Sequence, residues 1–270
     1  MDSLLPHLKD GQIVIVSSMS SLSSLYLFEQ AKARGLNISV ASFGTTALTA
    51  RRKSPTLVNV MSRRGSVSVS ALPQSSLQSA LEVCDSLFGG VFLAEDNPLI
   101  STLANTNAIT HTPLAILNWT RIEREENWPQ YHCMTPSVSE IMEKLDAERL
   151  AIAGAFGLKV RSVEQHFRQS FKIDQEKMSE IAEEMHKRRG GPPGPTDTST
   201  RYLTEDVPFG LVFVLALAKI AGVPAPVTLA NVTMASLVAG RDFSADNGFV
   251  EALGLQAETV ESLLKRVSVV

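Results

Sequence analysis

The chain has 270 residues, 44% of them hydrophobic and 20% charged, a balance that excludes the disordered, collagenous and coiled-coil classes. Twenty-five basic residues against 28 acidic ones leave a net charge of −3, which offers no basic field for collecting phosphates and points away from nucleic acid as a partner. At roughly 100–200 residues per domain, the length allows one large domain or two modest ones.

The first residues carry Asp2, Lys9 and Asp10 where a secretion signal needs a basic tip and an apolar run. Gln12–Val16, QIVIV, follows the turn signal Asp10-Gly11 and reads as a strand covered on both faces. Leu22–Arg34 then places Leu25, Phe28 and Ala31 at helical spacing, with Gly35 as its stop. Asn37–Phe43 resumes a strand, so the unit has the length of a right-handed crossover between parallel strands. Two β-branched runs, 56–61 and 66–71, flank Arg63-Arg64-Gly65 and are expected to form a hairpin.

From Ser76 onward the pattern turns helical. Apolar residues recur at spacings of three and four through 138–155, 175–186, 208–221, 226–238 and 257–267, and strand signals fade after Phe92. The strongest apolar run, Val207–Ala218, is about a dozen residues, short of the roughly 20 that span a bilayer, so no membrane segment is expected. RRGGPPGPTDTS, residues 188–199, cannot be helix and holds too few apolar side chains to pack. It is expected to be a flexible loop, either a lid or a linker. Cys84 and Cys133 form no CxxC pair and no metal-ligand spacing, and read as reduced thiols of a cytoplasmic protein.

No GxGxxG phosphate turn follows any expected strand. Ala153-Gly-Ala-Phe-Gly157 is the nearest imitation, but it closes a helical pattern, where close helix packing explains it. Residues 17–24, SSMSSLSS, end the first strand, where open sheets bind ligands. Their hydroxyls and amides suit either a cofactor or the cap of the following helix.

His111 stands in a neutral, apolar segment. An imidazole there is desolvated and tunable near neutral pH, as a general acid or base requires, although such a histidine is more often a hydrogen-bonded core residue. RYLTEDVPFG, residues 201–210, is the densest polar cluster ahead of an apolar run. The Arg201 guanidinium can hold a carboxylate through two parallel hydrogen bonds, and Asp206, five residues on, can orient an imidazole and stabilise its cation. The same stretch also suits a plain helix start, with Thr204, Glu205 and Asp206 in the first turn and Pro208 beside them.

RYLTEDVPFGLV (201–212), followed by LAKIAGVPAP (217–226), resembles the helical domain of the opine dehydrogenases, the octopine and nopaline dehydrogenase family. NPLISTLANTNAITHTPLAILN (97–118) resembles the histidine-bearing segment of that family, and LPHLKDGQIVIV (5–16) resembles the last part of its nucleotide-binding domain. The resemblance implies a partial Rossmann-like α/β sheet without the glycine fingerprint over residues 1–91. It implies an all-helical catalytic and substrate domain of the 6-phosphogluconate dehydrogenase C-terminal-like type over 92–270. It also implies NAD or NADP as cofactor, a small-molecule carboxylate substrate, and reductive condensation of an amino acid with an α-keto acid or the reverse.

By motif position, His111 would be the general acid/base, Asp206 its supporting carboxylate, and Arg201 and Asn118 substrate-binding residues. The family's glycine fingerprint comes before the part matched here, and a sheet cut at that point exposes an edge, for which three explanations stand in this order: a fragment of a longer chain, a missing half supplied by a partner chain, as a homodimer could do, or a protein that has abandoned dehydrogenation. Two other classes stay open: a cofactor-free binding or scaffold protein, and a non-redox enzyme that uses His111 and Asp206 as an acid/base pair.

Overall fold

The apolar run after Gly11 forms strand β1 (Ile13–Val16), helix α1 (Ser23–Ala33) carries the chain back, and β2 (Ser39–Phe43) pairs parallel with β1, Ile13 opposite Ser39. The structure, a computed structural model, describes residues 1–268. Helix α1 buries Leu25, Phe28 and Ala31, the apolar stripe of its 3.6-residue period. The serine loop between β1 and α1 turns inward. Met19, Ser21, Leu22 and Ser24 are fully buried, and the Met19 N–H donates to the Phe43 carbonyl at 2.8 Å. Ser18, Ser21 and Leu22 hold left-handed backbone, with φ of 56, 52 and 51°, a conformation that costs a non-glycine residue about 1–3 kcal/mol.

The expected hairpin has different partners. Strand β3 (Leu48–Ser54) pairs antiparallel with β4 (Leu57–Arg63), while β5 (Val67–Leu72) joins the main sheet antiparallel to β2. The turn is at Ser54–Leu57, around Pro55, and not at Arg63-Arg64-Gly65. The β-branched runs were enough to make strands, but burial chose the partners. Every residue of β5 is buried and every residue of β4 is exposed, so β5 belongs to the core and β4 does not.

Helix α2 (Leu77–Phe88) lays Ala80 and Cys84 on the sheet, and β6 (Phe92–Ala94) closes it parallel to β5, giving the order β1-β2-β5-β6. Phe43 packs its ring 4.9 Å from Phe92 and 6.0 Å from Phe88, and burial of each such ring contributes about 1.5–3 kcal/mol. Helix α3 (Pro98–Leu103), capped by Asn97, belongs to this unit, because Ser101 Oγ lies 2.9 Å from Ser70 Oγ and donates to the Ser42 carbonyl. The division of the chain therefore falls after Asn105, where the sequence reading divided it at 91/92. One compact unit comprises Met1–Asn105 with the chain from Glu261 onward, the other Thr106–Val260.

The second unit is helical. Helices α4 (Asn107–Leu117), α5 (Trp119–Glu123), α6 (Pro136–Ala155), α7 (Val163–Phe171) and α8 (Met178–Arg189) precede a continuous helical path made of α9 (Arg201–Thr204), a π-helical segment (Val207–Val212) and α10 (Phe213–Ala221). Helices α11 (Pro226–Ala239) and α12 (Gly248–Ala252) complete it. The core gathers Leu114, Met142, Leu145, Ile181, Leu203, Leu211 and Ala235, all fully buried. Ala153–Gly157 is the C-terminal end of α6, with Gly157 just beyond the helix at φ 70°, the glycine stop of a helix and not a phosphate turn. Helix α13 (Val260–Val267) returns to the first unit, where Arg266 grips Glu29 of α1 through both carboxylate oxygens at 2.6 and 2.7 Å.

The proline-rich stretch is pinned, contrary to the expectation of a flexible loop. The buried Trp128 indole donates to the Pro195 carbonyl at 3.0 Å, the Gly194 N–H donates to the Trp128 carbonyl at 2.9 Å, and Pro129 bridges Pro193. A Cβ on Gly194 would lie 2.1 Å from the Trp128 ring. The segment packs with backbone, which an inventory of apolar side chains does not register. No helix among the described residues is long and apolar enough to cross a membrane.

Candidate active site

Two helical stretches 95 residues apart in sequence supply the site. Helix α4 carries His111, followed by Thr112 and Pro113 inside the helix. Pro113 lacks the N–H that would bond to the Ile109 carbonyl, so the ladder is interrupted beside His111. The π segment after α9 begins at Val207, with Pro208 in its first turn. The extra residue of a π turn frees carbonyls, and the Asn247 amide takes that of Pro208 at 2.8 Å. Gly210 lets this segment approach α4: a Cβ there would stand 2.5 Å from the Ala108 Cβ.

The approach sets Asp206 against the imidazole, with His111 Nδ1 2.8 Å from Asp206 Oδ2 and both side chains mostly buried, 19% and 15% exposed. A carboxylate accepts only, so Nδ1 carries a proton, and Nε2 is the ring nitrogen left to give or take one. Tyr202 lies flat on the other side of the imidazole, ring centroids 3.8 Å apart and planes within 2°. Its hydroxyl donates to Gln130 Oε1 at 2.6 Å, and the Thr112 hydroxyl donates to its carbonyl.

Arg201 is placed elsewhere. It is 73% exposed and holds Glu205 at 3.2 Å, one turn along α9; among the described residues it has no hydrogen bond or ion pair to His111 or Asp206. Each helical position turns by about 100°, so a residue adjacent to Tyr202 faces another way. Asn118 follows His111 by seven residues, nearly two turns and about 10 Å. It caps α4, its side-chain amide donating to the Leu114 carbonyl at 2.9 Å.

Tyr202 and Gln130 are the site residues that sequence reasoning missed. Tyr202 had a signal, because it precedes Asp206 by four residues and so shares its helical face. Gln130 had none. No group of three His, Cys, Asp or Glu side chains among the described residues is disposed to hold a metal ion. Burial pushes the Cys84 thiol up to about 11 and raises that of Cys133 against the pull of Arg121, and both are free and buried, so neither is a ready nucleophile.

An α/β sheet followed by a helical unit that presents a carboxylate-supported histidine is the arrangement of a two-part dehydrogenase. The model of the NAD/NADP octopine/nopaline dehydrogenase alpha-helical domain matches residues 94–239. An opine dehydrogenase of Arthrobacter sp. (strain 1C) is 30% identical over 263 residues, which are 97% of this chain and 73% of that protein. The chain belongs to the octopine/nopaline dehydrogenase family of NAD(P)-dependent oxidoreductases. The fold agrees. A solved octopine dehydrogenase with NADH and L-arginine superposes with a TM-score of 0.76 at 18% identity, over 97% of this chain and 73% of that one. A yersinopine dehydrogenase with NADP+ gives 0.68 at 15% identity, over 97% and 72%.

Proposed function

We propose that the chain reduces the imine formed between an amino acid and an α-keto acid, using NADH or NADPH, and catalyses the reverse oxidation. The carrying observation is the His111–Asp206 pair at 2.8 Å beneath Tyr202. The names of the relatives agree in class: octopine dehydrogenase is known with NADH and L-arginine, and with NADH and pyruvate. The protein's partner in this reading is a small carboxylate.

Open α/β sheets bind nucleotides outside the carboxyl ends of their strands. In this chain those ends are Val16 and Phe43, with the exposed Ser17 beside them and the Ser42 hydroxyl buried there without a hydrogen-bond partner among the described residues. These residues fit part of a dinucleotide; the described residues contain no glycine-rich turn for its pyrophosphate. When bound, the cofactor supplies or removes hydride at the imine carbon.

The protein's own side chains handle protons and orientation. With the amine added to the keto carbon, His111 Nε2–H gives its proton to the departing hydroxyl, which leaves as water; in reverse, Nε2 takes that proton from the attacking water. Asp206 keeps Nδ1 protonated and stabilises the imidazolium while the ring is charged. Arg201 binds a substrate carboxylate by exchanging it for Glu205, and Asn118 orients the substrate farther along α4.

The two free, buried thiols suit the reducing cytoplasm. A homodimer belongs to the same reading; sedimentation of the purified chain measures it. His111→Ala should lower amino-acid- and keto-acid-dependent NAD(P)H oxidation about 10²–10⁴-fold, while melting like the parent. An undiminished rate in that variant overturns the assignment.

A further inference from the structure

The hydrogen bond to Asp206 fixes one edge of the His111 ring, but a single bond at Nδ1 leaves the ring able to swing about it. The flat contact with Tyr202, at 3.8 Å and 2°, removes that freedom, because tilting the imidazole would drive its edge into the phenol ring. Tyr202 needs anchoring to do this, since its side chain is only partly buried.

Two tethers provide the anchor. Thr112, the residue after His111, donates to the Tyr202 carbonyl at 3.4 Å, and the Tyr202 hydroxyl donates to Gln130 at 2.6 Å. Gln130 is 5% exposed. Its backbone N–H donates to the Pro192 carbonyl, and its neighbours Trp128 and Pro129 hold Gly194, Pro195 and Pro193. A chain of direct contacts thus runs from the proline-rich strap through Gln130 and Tyr202 to the imidazole.

We propose that Tyr202 is a positioning residue for His111, and that Gln130, held by the 192–195 strap, sets where the Tyr202 ring stands. The proposal rests on the acid/base role assigned to His111 and deepens it. It gives the strap a function through the site without requiring it to move as a lid. It also explains the spacing of the stretch, since residues 202 and 206 are one helical turn apart and can address the imidazole together, Tyr202 on its face and Asp206 at its edge.

The test uses the whole chain and the variants Tyr202→Leu, Tyr202→Phe and Gln130→Leu, read by the imidazole ¹⁵N signals of labelled histidine without substrate and by steady-state kinetics. In Tyr202→Leu the His111 ring signals should broaden, because the ring then swings about its Nδ1 bond among several orientations. Its kcat should fall about ten- to hundredfold, with KM within about twofold. Tyr202→Phe keeps the stacked ring and should retain the parent's sharp signals, and Gln130→Leu should reproduce part of the broadening and of the kcat loss.

A folded Tyr202→Leu with parent-like signals and kcat overturns the proposal; if that variant does not fold, Gln130→Leu decides on the same terms. The spectrum needs no turnover, so the two readings fail separately. A parent chain without imine reduction, whose His111 signals still change in Tyr202→Leu, refutes the reaction and leaves the positioning in place.

Discussion

Gly210 faces Ala108 across the contact between the π segment and helix α4, so closely that a Cβ on residue 210 would stand 2.5 Å from the Ala108 Cβ. Four residues earlier on the same path is Asp206, and three residues later on α4 is His111. The approach of two backbones thus governs a hydrogen bond between two side chains.

Gly210→Ala tests that coupling. Helix propensity alone favours alanine by about 1 kcal/mol, whereas overpacking a close contact costs about 1–3 kcal/mol. The contact distance is too short for an ordinary Cβ, so the steric cost should win. We expect a lower urea midpoint together with lower turnover, and Ala108→Gly in the same chain should restore part of both.

Asp146 and Arg149 make a buried ion pair inside the helical unit, 2% and 1% exposed, with Arg149 Nε at 2.8 Å from the carboxylate. Asp146 also accepts the Val163 N–H at the start of α7, and Arg149 donates to the Arg161 carbonyl. Burial pushes the Asp146 carboxyl up despite Arg149. Arg149→Leu strands that carboxylate in a dry site and should cost about 3–5 kcal/mol of unfolding free energy. Replacing both residues by apolar ones of similar size should recover much of the loss. A single variant as stable as the parent would mean that the pair carries no structural weight.

Cys84 is fully buried, and burial raises its thiol from an ordinary 9.0 to about 11, with Asp85 adding to the shift. The folded state therefore holds this proton more tightly than the unfolded chain does. The linked stability is present below about pH 9 and is lost as pH rises towards 11. At about pH 8 roughly one molecule in a thousand carries the thiolate. Alkylation by iodoacetamide should spare Cys84 until denaturant is added, and Cys84→Ala should flatten the alkaline limb of the stability profile. Rapid labelling of the native chain would contradict the burial argument.

Strand and helix were legible wherever a local period exists. The run Ile13–Val16 and the stripe Leu25, Phe28 and Ala31 mark the crossover, and the spacings within 138–155 and 226–238 mark the long helices found at Pro136–Ala155 and Pro226–Ala239, because neighbours in sequence are neighbours on the element. The partner of a strand was not legible. Leu48–Ser54 contains Arg51, Arg52 and Lys53 and shows no apolar alternation, so its pairing with Leu57–Arg63 went unseen and a false partner was assigned. The proline-rich strap was misread for a related reason: its contacts are made by carbonyls and amides, which every sequence has.

The amino-acid order by itself determined the segments with a clear period that coil or extend, the family to which the chain belongs, and which side chains have the chemistry to move protons or hold carboxylates. Only the tertiary structure decided that Asp206 meets the Nδ1 edge of His111, that Tyr202 covers its face, that Gln130 steadies Tyr202, and that Arg201 points to solvent beside Glu205. The physical reason is range. Propensity and periodicity act over a few residues, while the contacts that join His111, Asp206, Tyr202 and Gln130 link positions 72 to 95 apart and exist because burial of the helical core brings their backbones together.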